Sequence, residues 1–249
     1  MTTFVPPVPG GAMAVEQVHR GTHLNISEVF GPTIQGEGPN AGRLSSFLRL
    51  AGCNLTCSWC DSAYTWDWAR FPHREEVHPT PVLDVAQTVA SLQGRIIVTG
   101  GEPLLQATAL AEVLAVCDWM DFDVETNGTR PLGRTEPFWD TIICSPKIIP
   151  SADQGPLARR LNPGILADER THFKFVVQGQ ADLDAVDDLV AGGAFARARD
   201  EGRMWLMPEG ITPDTLTERT PFVIEAAVER GMNFTSRLHV YGWHDVRGH

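Results

Sequence analysis

The chain has 249 residues, 43% hydrophobic and 20% charged, a composition that buries a core and is too apolar for a disordered chain. The balance of 20 Lys and Arg against 31 Asp and Glu leaves a formal charge of -11, and no basic stripe runs along the sequence, which argues against tight nucleic-acid binding. No apolar run approaches the ~20 residues of a membrane span, and the start of the chain lacks the basic and apolar regions of a signal peptide, so a cytoplasmic protein without a membrane partner is expected.

Residues 1 to 23 carry Pro6, Pro7, Pro9, Gly10 and Gly11 with no sustained apolar period and read as a mobile extension. From residue 24 to 249, short β-branched or apolar runs alternate with helical patterns, which predicts a single α/β domain of parallel strands joined by crossover helices. Strands are expected over residues 26–30, 46–50, 95–99, 122–125, 141–144, 173–177, 204–207 and 238–241. Helical spacing covers residues 81–92, 104–117, 182–190 and 221–230, the first opening on Pro81 as a first-turn proline permits.

In such sheets ligands bind at the carboxyl ends of the strands. Directly after expected strands stand Gly100, Gly101, Glu102, Asn127, Ser145, Lys147, Pro208 and Glu209, which one mouth of one sheet would gather. Two glycines permit close backbone approach, Glu102 offers an acceptor for an ammonium, and Lys147 a point charge for a carboxylate or phosphate.

Another strand end runs into Cys53, Cys57 and Cys60, three thiols within eight residues. A structural zinc site wants four ligands, for which His73 or His78 would have to supply the fourth. An iron-sulfur cube held by three cysteines instead keeps one iron open to another ligand. Cys117 and Cys144 fall in a helix pattern and a strand and read as core thiols.

The CxxxCxxC spacing, with Trp59 before the last cysteine, resembles the signature of the radical S-adenosylmethionine (SAM) superfamily. The resemblance implies that Cys53, Cys57 and Cys60 hold a [4Fe-4S] cluster whose open iron binds SAM. It further implies SAM contacts from Trp59, Cys60 and Asp61, and from Gly100, Gly101 and Glu102 of the Gly-Gly-Glu-Pro motif. Glu125 and Asn127, the Ser145-Pro146-Lys147 turn, and Met207, Pro208 and Glu209 as an adenine wall complete that expectation.

Upstream, Ile34-Gln35-Gly36-Glu37-Gly38 forms a Gly-rich polar loop, Arg49 precedes the first cysteine by four residues, and Cys60-Asp61-Ser62-Ala63-Tyr64-Thr65-Trp66 follows. Together these resemble the 7-carboxy-7-deazaguanine synthases, from about residue 26 to the end of the chain. The resemblance implies a partial TIM-like barrel, trimmed relative to eight βα units, and the radical ring contraction of 6-carboxy-5,6,7,8-tetrahydropterin with loss of ammonia. It places Ile34, Gln35, Gly36, Glu37, Arg49 and Thr99 at the pterin, with Arg49 on its carboxylate, and Mg2+ on Ser62 where the family usually has Thr. A homodimer and a reductant such as a flavodoxin or ferredoxin are also implied. The C-terminal end departs from the family's usual terminal Pro, leaving Tyr241 or Trp243 as the candidate wall there. Two other readings stay open: a radical SAM activase acting on a partner protein, and a non-catalytic zinc module.

Overall fold

The computed structural model describes residues 23–147, 160–244 and 246–249. The extension expected over residues 1 to 23 therefore lies outside the described residues, apart from His23, which opens the first strand. In chain order the described elements are β1 (His23–Ile34), β2 (Leu44–Leu50), α1 (His73–Glu76), β3 (His78–Pro81), α2 (Val82–Ala90), β4 (Arg95–Gly100) and α3 (Ala107–Val116). They continue with β5 (Phe122–Thr126), β6 (Thr141–Cys144), α4 (Pro163–Ala167), β7 (Thr171–Val177), α5 (Gln180–Ala191) and α6 (Ala196–Asp200). The last are β8 (Met204–Pro208), α7 (Pro213–Arg230), β9 (Asn233–Phe234) and α8 (Leu238–Trp243).

One open sheet runs in the order β3-β1-β2-β4-β5-β6-β7-β8-β9. From β2 through β9 neighbours are parallel, while β1 is antiparallel to both β2 and β3. This is the mostly parallel α/β sheet that the alternation of strands and helices predicts, in the partial barrel that the resemblance implies.

Strand periodicity of two divides the molecule. On the outer face Leu48, Leu50, Ile96, Val98, Val124, Ile142, Phe173, Phe175 and Leu206 join the helices in one core. Helix α2 contributes Val82, Val85, Ala86 and Val89, an i, i+3, i+4, i+7 stripe, and α3 contributes Leu110, Val113 and Leu114. Each such fully buried aliphatic side chain contributes about 1.5–3 kcal/mol. Alternate residues of the same strands, among them Arg49, Thr99, Glu125 and Lys174, stay out of that core and face the barrel interior.

The interior is filled by the loop after β1. Gln35 Nε2 donates to Glu125 Oε1 (3.0 Å), Glu37 pairs with Lys174, and Asn40 Nδ2 donates to Asp123 Oδ2 (2.6 Å) at the base. The loop thus gives a trimmed barrel a floor that a full ring of side chains would otherwise supply.

Most expected elements are found within a few residues of their predicted bounds, and two are corrected. Residues 238–241 are the helix α8 and not a strand: Val240 N donates to Arg237 O (3.0 Å), and the last sheet strand is β9 instead. Leu-His-Val-Tyr alternates by chance, and four residues cannot separate a strand from one helical turn. The helix expected from 221 starts eight residues earlier, where Thr212 Oγ1 accepts from Thr215 N (3.2 Å) and Pro213 takes the first position. Pro221 sits inside that helix. Among the described residues no helix is long and apolar enough to cross a membrane.

Leu110→Ala should cost about 2–5 kcal/mol in urea unfolding, because a fully buried side chain leaves a cavity. Val228→Ala, at 75% exposure on α7, should stay within about 0.5 kcal/mol of the parent.

Candidate functional site

The interior opens at the carboxyl ends of the strands into a cavity of about 590 Å³. Its wall holds Cys53, Cys57, Cys60, Trp59, Asp61 and Ser62 from the loop after β2, and Ile34, Gln35 and Glu37 from the loop after β1. Arg49, Thr99, Gly100, Gly101, Glu125, Asn127, Ser145, Lys147, Met207 and Glu209 come from strand ends. Residues far apart in the sequence are thus gathered at one mouth.

Four expected contacts lie off the wall: Gly36, Glu102, Pro146 and Pro208. A Cβ on Gly36 would lie 2.1 Å from His239 Nδ1, and Gly36 O accepts from Leu238 N (3.0 Å), so this glycine seats the start of α8. Glu102 is fully buried; its carboxylate accepts from Leu104 N (3.0 Å), Asn127 N (2.7 Å) and Thr126 Oγ1 (2.9 Å), fastening the end of β4 to the end of β5. Burial raises its pKa to about 7 against the pull of those donors. Tyr241 and Trp243 also lie off the wall, which at that end is made by His239, His244, Val246, Arg247, Gly248 and His249.

The two glycines after β4 serve the protein's own packing as well as lining the cavity. A Cβ on Gly100 would sit 2.0 Å from Leu50 O, and one on Gly101 would sit 2.3 Å from Gly52 O and 2.8 Å from Cys53 Cβ. Only bare backbone lets the cysteine loop rest on the β4 turn, with Glu102 N donating to Gly52 O (2.8 Å).

Cys53, Cys57 and Cys60 surround Leu55 in a small apolar cluster apart from the main core. Burial pushes the Cys53 thiol up to about 12 and raises that of Cys57, so both are neutral unless a cationic centre draws them to thiolates. N–H donors already face the sulfurs: Leu55 N to Cys53 Sγ (3.4 Å) and Trp66 Nε1 to Cys60 Sγ (3.3 Å). That donor set fits a [4Fe-4S] cluster in which three irons each take one cysteine and the fourth stays open, and whose sulfurs accept such bonds. No three His, Cys, Asp or Glu side chains among the described residues converge on a single ion position, as a lone zinc would need. His73 stacks edge-on against Trp68 with ring centres 4.8 Å apart, and neither it nor His78 reaches the wall.

Opposite charges organise the floor. Glu37 pairs with Lys174 and accepts from Arg237 Nε (2.8 Å), while Arg237 also pairs with Asp61 and donates to Gly210 O (2.7 Å). Burial would raise the Glu37 carboxyl, but Lys174, Arg237 and His239 together hold it well below its ordinary value. Near the rim, Thr99 Oγ1 donates to Glu125 Oε2 (2.8 Å), and Lys147 lies 5.2 Å above the Trp59 ring and donates to Ser145 Oγ (2.7 Å).

Lys174, Arg237, His239, Glu28 and Tyr64 are wall residues to which the sequence reading gave no role, although Tyr64 stands in the motif after the last cysteine. Lys174 had a signal, since a Lys inside Phe173-Lys174-Phe175-Val176-Val177 must be paired or face a polar interior. Arg237 had none, standing in a segment without pattern.

Glu37→Gln should cost about 3–5 kcal/mol at neutral pH in urea unfolding, because Lys174 and Arg237 then share too little negative charge in a buried place. The Glu37 carboxyl titrates near 4.5 when unfolded and lower when folded, so its contribution is present above that range and lost as pH falls through the folded value. Parent and variant stabilities should converge in acid; a gap that persists there would show that the charge of Glu37 is not what stabilises the floor.

Comparison with known proteins bears on this geometry. The profile of the Radical SAM superfamily matches residues 48–143, which run from β2 through the cysteine loop to β6. A 7-carboxy-7-deazaguanine synthase from Pyrobaculum aerophilum is 34% identical over 231 residues, 90% of this chain and 97% of that protein. The Halobacterium salinarum protein of the same name is 37% identical over 253 residues, 91% of this chain and 93% of its own. In fold, the chain is similar to the crystal structure of QueE from Escherichia coli, with a TM-score of 0.62, 24% identity, and coverage of 87% of this chain and 95% of that one. With two such relatives matched along nearly their whole length, and the cysteine loop, Arg49 and the β1 loop on one cavity, the chain belongs to the 7-carboxy-7-deazaguanine synthase family of the radical SAM superfamily.

Proposed function

We propose that the chain converts 6-carboxy-5,6,7,8-tetrahydropterin to 7-carboxy-7-deazaguanine with release of ammonia, as a carbon-nitrogen lyase in the route to queuosine and related deazapurines. One observation carries this reading: a single cavity holds three thiols suited to a cluster and, on the same wall, an arginine with donors to spare. The unit that does this is residues 24–249 as one domain, a reading supported by the one sheet and one main core. A cytoplasmic location, a homodimer and a flavodoxin or ferredoxin as electron donor belong to the same reading through the family.

Cys53, Cys57 and Cys60 would hold the [4Fe-4S] cluster, which with SAM supplies one-electron cleavage to methionine and a 5'-deoxyadenosyl radical. Around it the chain's residues bind, orient and exclude water. Asn127, Ser145 and Lys147 offer polar groups and one cation to the methionine end of SAM, and Met207 and Glu209 wall the adenine. Arg49 takes the pterin carboxylate, since a guanidinium reads a planar carboxylate through paired donors. Gln35 and Thr99 are both oriented by Glu125, which presents a fixed hydrogen-bonding edge to a flat heterocycle. The buried pair of Glu37 and Lys174 keeps the floor dry and charged groups fixed. Mg2+ fits as a cation that keeps several waters: Ser62 Oγ is on the wall, 3.7 Å from Cys60 Sγ, and gives one oxygen beside those of the substrate.

The test is an anaerobic assay of reconstituted protein with reductant, SAM, Mg2+ and 6-carboxytetrahydropterin, read by mass spectrometry. The expected result is 7-carboxy-7-deazaguanine with little net loss of SAM. Cleavage of SAM without that product would return the substrate to a partner protein, and a colourless protein carrying zinc would sink the cluster. Alanine at Cys53, Cys57 or Cys60 should abolish SAM cleavage, whereas Cys117→Ser and Cys144→Ser, buried in the main core, should retain it. Arg49→Ala should weaken pterin binding about 10- to 100-fold in isothermal titration while iron content persists.

A further inference from the structure

Arg49 is not alone on its wall. Its Nε donates to Glu28 Oε2 (3.1 Å), and the Tyr64 hydroxyl donates to the same oxygen (3.0 Å). The structure shows no hydrogen bond from Arg49 Nη1 or Nη2 among the described residues, and its guanidinium carbon lies 5.9 Å and 6.0 Å from the Phe30 and Tyr64 ring centres. Glu28, Tyr64 and Phe30 are themselves on the cavity wall.

A fault in strand register brings Glu28 there. Ile26 pairs with Leu50, and both belong to the outer core. With no fault, Ser27 would oppose Arg49, and Glu28 would share the outer face with Ile26, two residues away. The register shifts between Ile26 and Glu28, so Glu28 opposes Arg49, and Phe30 then opposes Phe47, with their rings stacked 4.9 Å apart. Such a bulge re-aims a side chain at the expense of one unpaired residue. Ser27 is that residue, and its buried Oγ has no hydrogen-bond partner among the described residues.

We infer that Glu28, turned inward by the bulge at Ser27 and steadied by Tyr64, is a positioning residue that occupies Arg49 Nε and so presents the Nη1–Nη2 edge to the carboxylate of the substrate. A guanidinium carries five N–H donors, so one carboxylate of the protein and one of the ligand can share it. Glu28 thereby sets the angle at which the ligand carboxylate docks, and with it the pose of the attached ring. This inference rests on the pterin reading of Arg49 given above.

The test compares the reconstituted holoenzyme with its Glu28→Ala, Glu28→Gln and Tyr64→Phe variants by anaerobic titration in the presence of SAM. The ligands are 6-carboxy- and 6-methyl-tetrahydropterin, and the readout is the ratio of their affinities. The parent is expected to prefer the carboxylate; Glu28→Ala should cut that preference about 10- to 100-fold, with the methyl compound bound about as before. Glu28→Gln keeps an acceptor for Nε and should restore most of the ratio. Tyr64→Phe, which removes one of the two donors to Oε2, should lower it a few-fold. If Glu28→Ala does not fold, the Gln and Phe variants decide, and a ratio that does not fall with Tyr64→Phe overturns the inference. An unchanged ratio in Glu28→Ala, or equal losses for both ligands, overturns it alone. No carboxylate preference in the parent overturns the reading of Arg49 and the inference together.

Discussion

The guanidinium of Arg237 joins three parts of the chain that the sheet does not connect. It pairs with Glu37 in the loop after β1, with Asp61 beside the last cysteine, and with Gly210 O after β8. Lys174 completes the group by sharing Glu37. Desolvating Arg237, Glu37 and Lys174 is expensive and returns its cost only when the pairing is close and complete, with Asp61 adding a partner from the solvent side. The dividend here is order: the loop after β1, the cysteine loop and the C-terminal helix are placed relative to one another by one side chain that is almost entirely buried.

That fastening matters because the sheet is open. In a closed barrel each strand holds its neighbours and the interior packs itself. Here β3 and β9 end the sheet, and the loop from Gln35 to Asn40 fills the interior, tied to β5 and β7 by side-chain bonds at three heights. The inner face is consequently polar where the outer face is aliphatic, and it is kept in register by hydrogen bonds that have direction, where apolar packing would tolerate slippage. A cavity walled in this way keeps its polar groups at fixed angles.

Much of this was legible in the residues. β-branched runs separated by amphipathic stretches gave the strands and helices, because both periods are strong over those lengths. The cysteine spacing and the residues after each strand pointed to one mouth, because parallel strands end on the same side. What stayed hidden has physical causes as well. The residues show Glu102 only as the acid of a Gly-Gly-Glu-Pro turn; that its carboxylate accepts from Thr126 and Asn127 depends on a neighbouring strand end that only tertiary structure brings near. Residues 238–241 alternate like a strand but are too short to reveal their period. Arg237 and His239 carry no local pattern, and the role of Glu28 depends on a one-residue slip between strands that no spacing rule announces. Lys174 was visible in principle, as a charge at an inward position of a buried strand.

The contact of Gly101 with Gly52 and Cys53 changes how damage at this turn should be interpreted. A side chain there would first push the cysteine loop off its seat, before it touched any ligand. Inactivity after substitution at Gly101 would therefore be uninformative about cofactor contact. The same loss would follow if the glycine never met SAM, because the backbone on which the three thiols are spaced would have been displaced.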